Sequence, residues 1–307
     1  MKIVSATYGT KNVIDIINKY FNGERLHVLV GNEIFGDPNH GVLKHLVVKF
    51  DNGLEISESE NNFLIYPKIK YKKIGIFYTN NTNEKTFDTI EASLKSIEIA
   101  SLNKADIITC VWNHIPNNPF CEIIAKTKVS SHLNQVLQIL QLLYFARLNN
   151  KNIKYVSFLE HDCLYPIEYF DYEDFETDSI CNNNYIGLCE NGWQKKRQDD
   201  KPLSQVTMNF EKAIKHFECI LANAITTNNG SLEPWWQSQK TINANPSYLD
   251  LLKWTNSNWS CKNPAVHVNH GYHFTSHFTT FTKETTEQDF YWGNYRNFSY
   301  LFNKKSS

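Results

Sequence analysis

The amino-acid sequence predicts an α/β protein in which a mostly parallel sheet flanked by helices follows a small β-rich N-terminal module. Three observations lead there. From residue 73 onward, apolar runs of strand length alternate with segments of helical period. One of those runs passes directly into the acidic stretch Glu160-His161-Asp162. The first seventy residues instead show period-two alternation and tight-turn signals.

The 307 residues are enough for one large domain or two ordinary ones, and the 41% hydrophobic content can fill a real core. Lysine and arginine total 31 against 32 acidic residues, a net charge of -1. That balance argues against a broad polycationic face for wrapping nucleic acid. No apolar run reaches the 18 or so residues of a membrane span, and no charged-then-apolar leader opens the chain. The seven cysteines are scattered and form no CxxC pair, so buried free thiols in a reducing cytosol are expected.

Residues 1–70 are expected to form the β-rich module and 71–307 the larger domain. A short helix is expected around Val13, Ile16 and Ile17, with strands at 26–30 and 42–50. In the second strand Leu46, Val48 and Phe50 alternate with His45 and Lys49, and Asp51-Asn52-Gly53 supplies a tight turn. The stretch from Phe35-Gly36-Asp37-Pro38 through Gly41, Lys44, Leu46, Val48 and Phe50 to Leu64-Ile65-Tyr66-Pro67 resembles the C-terminal domain of DnaJ-type co-chaperones. No J-domain His-Pro-Asp signature accompanies it, so the resemblance implies no chaperone role. A packing or acceptor-docking module is the expectation.

In the larger domain, strands are expected at 73–79, 105–112, 155–159 and 185–188, and helices at 84–102, 130–149 and 206–225. The first helix carries Phe87, Ile90, Leu94, Ile97 and Ala100 on one stripe. In the second, Leu133, Leu137, Leu140 and Tyr144 face one way, and Gln135, Gln138 and Gln141 the other. The third carries Phe210, Ala213, Phe217, Ile220 and Ala224. A β-α-β-α-β order predicts a mostly parallel sheet covered on both faces, and such sheets bind ligands beyond the C-terminal ends of their strands. That rule directs attention to Thr79 with Asn80, to Trp112, and to Leu159 with the acids that follow.

Glu160 and Asp162, two positions apart at the end of a buried strand, are costly without a cation or donors to compensate them. Hard divalent ions such as Mg²⁺ or Mn²⁺ take carboxylate oxygens together with phosphate oxygens of a ligand. The plainer alternative is a strand-end turn with a solvated Glu160 and a capping Asp162. A second cluster is histidine-rich: His267, His270, His273 and His277 are four of the eleven histidines within one short stretch. Alternation would separate His267 and His273 from His270 unless Gly271 bends the chain. One imidazole can join the acidic pair, whereas three histidines and a water would make a zinc centre.

The order of strand, helix, strand, long helix and then apolar strand into an acidic motif resembles a GT-A glycosyltransferase over residues 72–280. The resemblance implies a nucleotide-sugar donor and Mn²⁺ or Mg²⁺ held by an acidic motif, usually Asp-x-Asp, with a histidine near the end of the core. It carries over onto Asp162, Glu160 and His270, with His267 and His273 behind. The first acid here is glutamate, so Asp162 is the firmer ligand.

Cations after the fourth strand, Lys195, Lys196 and Arg197, are candidates for the diphosphate, and Trp193 for a sugar or base platform. His161, within the acidic motif, is expected beside the donor. An inverting enzyme needs a general base. Glu233, beside Pro234-Trp235-Trp236, is the first candidate, with Asp200 and Asp199 as alternatives. The Trp235–Trp236 pair suits an acceptor-site wall.

The expected function is therefore a cytoplasmic, metal-dependent glycosyltransferase acting on an acceptor hydroxyl of a glycan, a protein or a hydroxymethylated phage DNA base. Competing expectations are a histidine-ligated zinc metallohydrolase and a non-catalytic sugar-binding protein.

Overall fold

The computed structural model describes residues 2–21, 23, 26–66, 71–79, 86–125, 132–196, 202–227, 255–268, 281–286 and 291–302. Packing divides the chain into two compact units, Met1–Lys70 with Phe145–Lys151, and Tyr71–Tyr144 with Asn152–Ser307.

The first unit holds strands β1 (Ile3–Tyr8), β2 (Lys11–Asn12), β3 (Leu26–Leu29), β4 (His45–Phe50), β5 (Glu55–Ser59) and β6 (Phe63–Tyr66), with one-turn helices α1 (Ile14–Ile17) and α2 (Asn32–Phe35). Antiparallel pairing gives a sheet ordered β2-β1-β4-β5 and a separate β3-β6 pair. The period-two pattern of β4 explains its orientation. Leu46, Val48 and Phe50 are buried with Ala6, Tyr8, Val13 and Ile17. Gly53, at φ 83°, closes the β4–β5 hairpin in a conformation that suits glycine. The turn-rich loop ends in a closed-off ion pair: Lys44, its side chain 3% exposed, reaches Asp37 at 3.0 Å and Glu60 at 3.4 Å. Burial opposes the ammonium charge, but the two carboxylates outweigh it and hold Lys44 above the ordinary lysine range.

The second unit holds β7 (Lys73–Thr79), α3 (Phe87–Ser101), β8 (Asp106–Val111), β9 (Cys121–Ile124), α4 (His132–Asn149) as far as Tyr144, β10 (Tyr155–Glu160), β11 (Cys163–Leu164), β12 (Ser179–Asn182), β13 (Tyr185–Cys189) and β14 (Gly192–Lys196). It continues with β15 (Val206–Asn209), α5 (Phe210–Thr227), β16 (Asn256–Trp259), β17 (Ala265–Val268) and β18 (Phe281–Thr286). The main sheet is ordered β16-β12-β15-β10-β7-β8-β9. Every pairing in it is parallel except the two made by β15, so the sheet is mostly parallel as the alternation requires. A second sheet is ordered β11-β17-β13-β14-β18.

Helices cover both faces of the main sheet. Ile90, Leu94 and Ile97 of α3 pack with Phe77, Ile107 and Leu159 on one face. On the other, Phe217 of α5 meets Phe158 of β10 at a ring separation of 5.3 Å. Gln141 of α4 lies against Cys110 of β8 on that side. Gly75, in the middle of β7, leaves no room for a side chain on the α3 face. A Cβ there would meet the methyls of Ile107 and Leu159 at 2.6 Å.

Two local expectations change. The helix expected from 206 begins at Phe210, because Val206–Asn209 fills the strand position between β10 and β12, pairing Met208 with Val156 and with Ser179. Gln138 does not belong to a solvent face of α4. It is 2% exposed, and its amide donates to the carbonyls of Thr79 at 3.2 Å and Cys110 at 3.4 Å, tying the helix to the ends of β7 and β8. Among the described residues no helix is long and apolar enough to cross a membrane. The seven cysteines are free thiols.

Candidate active site

The parallel strands β7, β8 and β10 end side by side, with Glu160 opposite Tyr78 and Thr79 opposite Val111. Beyond Glu160 the chain turns through His161 and Asp162 and re-enters as β11, which belongs to the second sheet. There Cys163 pairs with His267, and the Asp162 carbonyl accepts the amide of Val268 at 2.7 Å. The acidic motif thus occupies the handover between two sheets, and its turn is fixed from both sides.

Ligand-capable atoms of Glu160, Asp162 and Cys163 all lie within 4.8 Å of one another. Glu160 is half-buried, Asp162 is 4% exposed and Cys163 is fully buried. Two carboxylates this close, one of them cut off from water, repel unless a positive charge joins them. The site therefore fits a divalent cation by its donor set.

Neighbours hold Glu160 in place. The Tyr78 hydroxyl donates to Glu160 Oε1 at 3.4 Å, the Glu160 amide donates to the Tyr165 hydroxyl at 2.9 Å, and Ser93 Oγ of α3 donates to the Glu160 carbonyl at 3.2 Å. Ser96, one turn along α3, accepts the amide of Tyr165 at 3.0 Å. Burial pushes the Tyr78 hydroxyl well above its ordinary value, and the Glu160 charge pushes it further, so it stays a neutral donor. Burial likewise raises the Cys163 thiol, helped by the charges of Asp162 and Glu160.

Behind Cys163 runs a buried polar chain. Asn182 Nδ2 donates to Gln205 Oε1 at 2.8 Å, which turns the Gln205 amide nitrogen toward His267 Nε2 at 3.2 Å. His267 Nδ1 then lies 3.5 Å from Cys163 Sγ, and the imidazole packs against Tyr185 with ring centroids 5.2 Å apart.

The expected site residues fall into three groups. Glu160, His161, Asp162, Thr79 and His267 gather around the ends of β7 and β10, although His267, at 1% exposure, is engaged with Cys163 and Gln205. Trp193 is instead a core residue. Only 1% exposed, its indole packs with Leu164, Leu188, Val266 and Val268 and meets Phe298 edge-on at 5.9 Å, so it offers no free face to a sugar. Lys195 lies in β14. Asn80, Arg197, Asp199, Asp200, Glu233, Trp235, Trp236, His270 and His273 lie outside the described residues. Among the described residues, the one group able to gather around a cation is Glu160, Asp162 and Cys163 rather than a set of histidines.

Residues that composition and spacing did not single out are Tyr78, Ser93, Ser96, Cys163 and Gln205. The pair Ser93 and Ser96 had a legible signal, since two serines at i, i+3 on the apolar stripe of α3 must bond to something inside. Cys163 stands next to Asp162 in the chain and was open to the same reading.

No family model matches the chain, and no curated protein matches it. Solved structures do. One is a glycosyltransferase involved in glycosylation of the major capsid of PBCV-1, with 10% identity, TM-score 0.36, covering 64% of this chain and 92% of that one. Another is residues 1–349 of S. aureus TarS, with 9% identity, TM-score 0.36, covering 64% of this chain and 60% of that one. A third is a nucleoside-diphosphate-sugar pyrophosphorylase from Vibrio cholerae RC9, with 10% identity, TM-score 0.35, covering 64% of this chain and 93% of that one.

Proposed function

We propose that this protein is a metal-dependent glycosyltransferase that moves a sugar from a nucleotide-sugar donor to an acceptor hydroxyl. The observation that carries the reading is the acidic pair Glu160 and Asp162 at the C-terminal end of a central parallel strand, with carboxyl oxygens close enough to share one cation. Open parallel sheets bind ligands at this edge, and a diphosphate needs positive charge there. The transferase function is assigned to residues 71–307, with residues 1–70 as a packing or acceptor-docking module.

Asp162 is the principal ligand of Mn²⁺ or Mg²⁺, and Glu160 joins it directly or through water. His270, two residues beyond β17 in the chain, completes the set. When bound, the cation supplies Lewis-acid stabilisation of the negative charge that develops on the departing nucleoside diphosphate. Tyr78 orients Glu160 through its hydroxyl. Glu233, or Asp200 in its place, takes the proton of the acceptor hydroxyl as the new bond forms. Lys195 and Arg197 are assigned to the diphosphate, His161, Thr79, Asn80 and His273 to the donor, and Trp235 with Trp236 to the acceptor. The free thiols suit a reducing, cytoplasmic setting.

Calorimetric titration with UDP, GDP, CMP or TDP tests the metal step. One nucleotide is expected to bind in the presence of Mn²⁺ and to lose at least about tenfold in affinity, 1.4 kcal/mol, when EDTA replaces the ion. Equal affinity with and without the ion would remove the cation from the reading. Stoichiometric zinc with no nucleotide binding at all would favour a metallohydrolase instead.

A further inference from the structure

We propose that the second unit carries a carbohydrate-binding cavity, separate from the acidic pair, that takes a neutral sugar chain. Sugar binding stands on the lining of the cavity itself. Only its service in holding part of an acceptor glycan rests on the transferase reading.

The cavity measures about 520 Å³, inside the range of about 300–1,000 Å³ typical of small-molecule sites. One wall is the segment from Glu168 to Phe175, which follows β11, and the other is β16 with the residues after it as far as Lys262. Neither Glu160 nor Asp162 lines it. Aromatic rings form its apolar part. Trp259 and Phe175 are half-buried against the core on the α3 side, and Tyr172 meets the Trp259 ring edge-on at 5.7 Å. Partly exposed rings of this kind suit the C–H face of a sugar ring, and polar atoms around them suit its hydroxyls. The exposed Asn258 in β16 adds an amide that can both donate and accept.

Charge decides between a sugar and a cation. Four carboxylates line the cavity, those of Glu168, Asp171, Glu173 and Asp174, and a cationic ligand would need them uncompensated. Lysines match them. Lys104 holds Asp171 at 2.6 Å, Lys154 holds Asp174, and Lys262 lines the cavity itself. Lys73 donates to the carbonyls of Phe170 at 2.9 Å and Tyr172 at 2.5 Å, within the field of Asp171 and Asp174. Its ammonium also lies 4.2 Å from the centre of the Tyr172 ring, so that ring already has its cation. The lining is therefore close to electroneutral, and its carboxylates serve as hydrogen-bond acceptors for hydroxyls.

Two wall atoms favour the same ligand. Glu168 Oε2 and the Trp259 indole nitrogen are buried and, among the described residues, without a hydrogen-bond partner. One lacks a donor and the other an acceptor, and a buried polar atom left unpaired is costly. An ammonium or guanidinium group can answer only the carboxylate. Hydroxyls, reaching the two atoms with a small shift of the wall side chains, can answer both.

The test uses the full chain and four neutral trisaccharides, maltotriose, cellotriose, mannotriose and triacetylchitotriose, observed by saturation-transfer NMR with spermidine as cationic competitor. At least one trisaccharide is expected to bind, with transfer strongest to the protons of its apolar ring face and no displacement by spermidine. Trp259→Ala should weaken binding by at least about tenfold, as loss of a tryptophan anchor does at other binding sites. Ser260→Arg, at an exposed position in the cavity wall, should block binding without touching the core and leave donor hydrolysis unchanged. Should Trp259→Ala fail to fold, as read by circular dichroism, Ser260→Arg decides. No binding by any of the four, binding that survives either folded variant, or displacement by spermidine overturns the inference. Trisaccharide binding without turnover of any donor leaves this site standing and refutes the transferase reading. Donor turnover without trisaccharide binding does the reverse.

Discussion

Asp162→Asn is expected to lower nucleotide release from a sugar donor by about 10²–10³-fold while leaving the fold intact. The physical reason is the division of labour at the end of β10. A cation bound there offsets charge on the departing diphosphate, an effect worth several kcal/mol, and each 1.36 kcal/mol of barrier is tenfold in rate. The amide keeps the volume of the carboxyl but surrenders the negative oxygen. Stability should move the other way. With no cation, Asp162 and Glu160 are like charges within 4.8 Å, and neutralising one removes that repulsion. The cation-free variant is therefore expected to unfold at the same temperature as the unmodified protein or above it. Retained turnover would detach Asp162 from the chemistry. Lost turnover accompanied by a collapsed fold would make it a structural residue.

Phe158→Ala should show the opposite pattern, a large loss of stability with the chemistry of the folded fraction preserved. Phe158 is fully buried two residues before Glu160, on the sheet face covered by α5, and its ring meets that of Phe217 at a tilt. Truncating a phenylalanine in a well-packed interior costs about 3–5 kcal/mol, because the cavity left behind does not collapse completely. For a unit of this size that corresponds to a fall of about 6–20 °C in the unfolding midpoint, read by scanning calorimetry. A fall under 2 °C, well below that range, would mean that the β10–α5 contact does not bear on stability as described.

The alternation of strands and helices was legible because each element carries a period that its burial requires. The β4 pattern of Leu46, Val48 and Phe50 and the α3 stripe of Ile90, Leu94 and Ile97 both point inward. Val206–Asn209 was not legible. Its residues continue the apolar period of α5, and only the open position between β10 and β12 makes them a strand. Gln138 failed for a related reason: a glutamine reads as surface until two carbonyls at strand ends are brought beside it. At the site, Glu160 and Asp162 were legible because ligand sites follow strand ends. The partnership of Cys163 with His267 spans 104 residues and depends on a β11–β17 register that no local pattern encodes. Trp193 shows the limit of composition, since an indole suits a sugar platform and a core equally well until its burial is known.

The most direct measurement is a donor screen on the purified full chain, with UDP-, GDP-, CMP- and TDP-linked sugars and Mn²⁺, reading released nucleotide. The account predicts slow hydrolysis of one donor, lost on adding EDTA. Silence across every donor, in protein shown to be folded and metal-loaded, would contradict it.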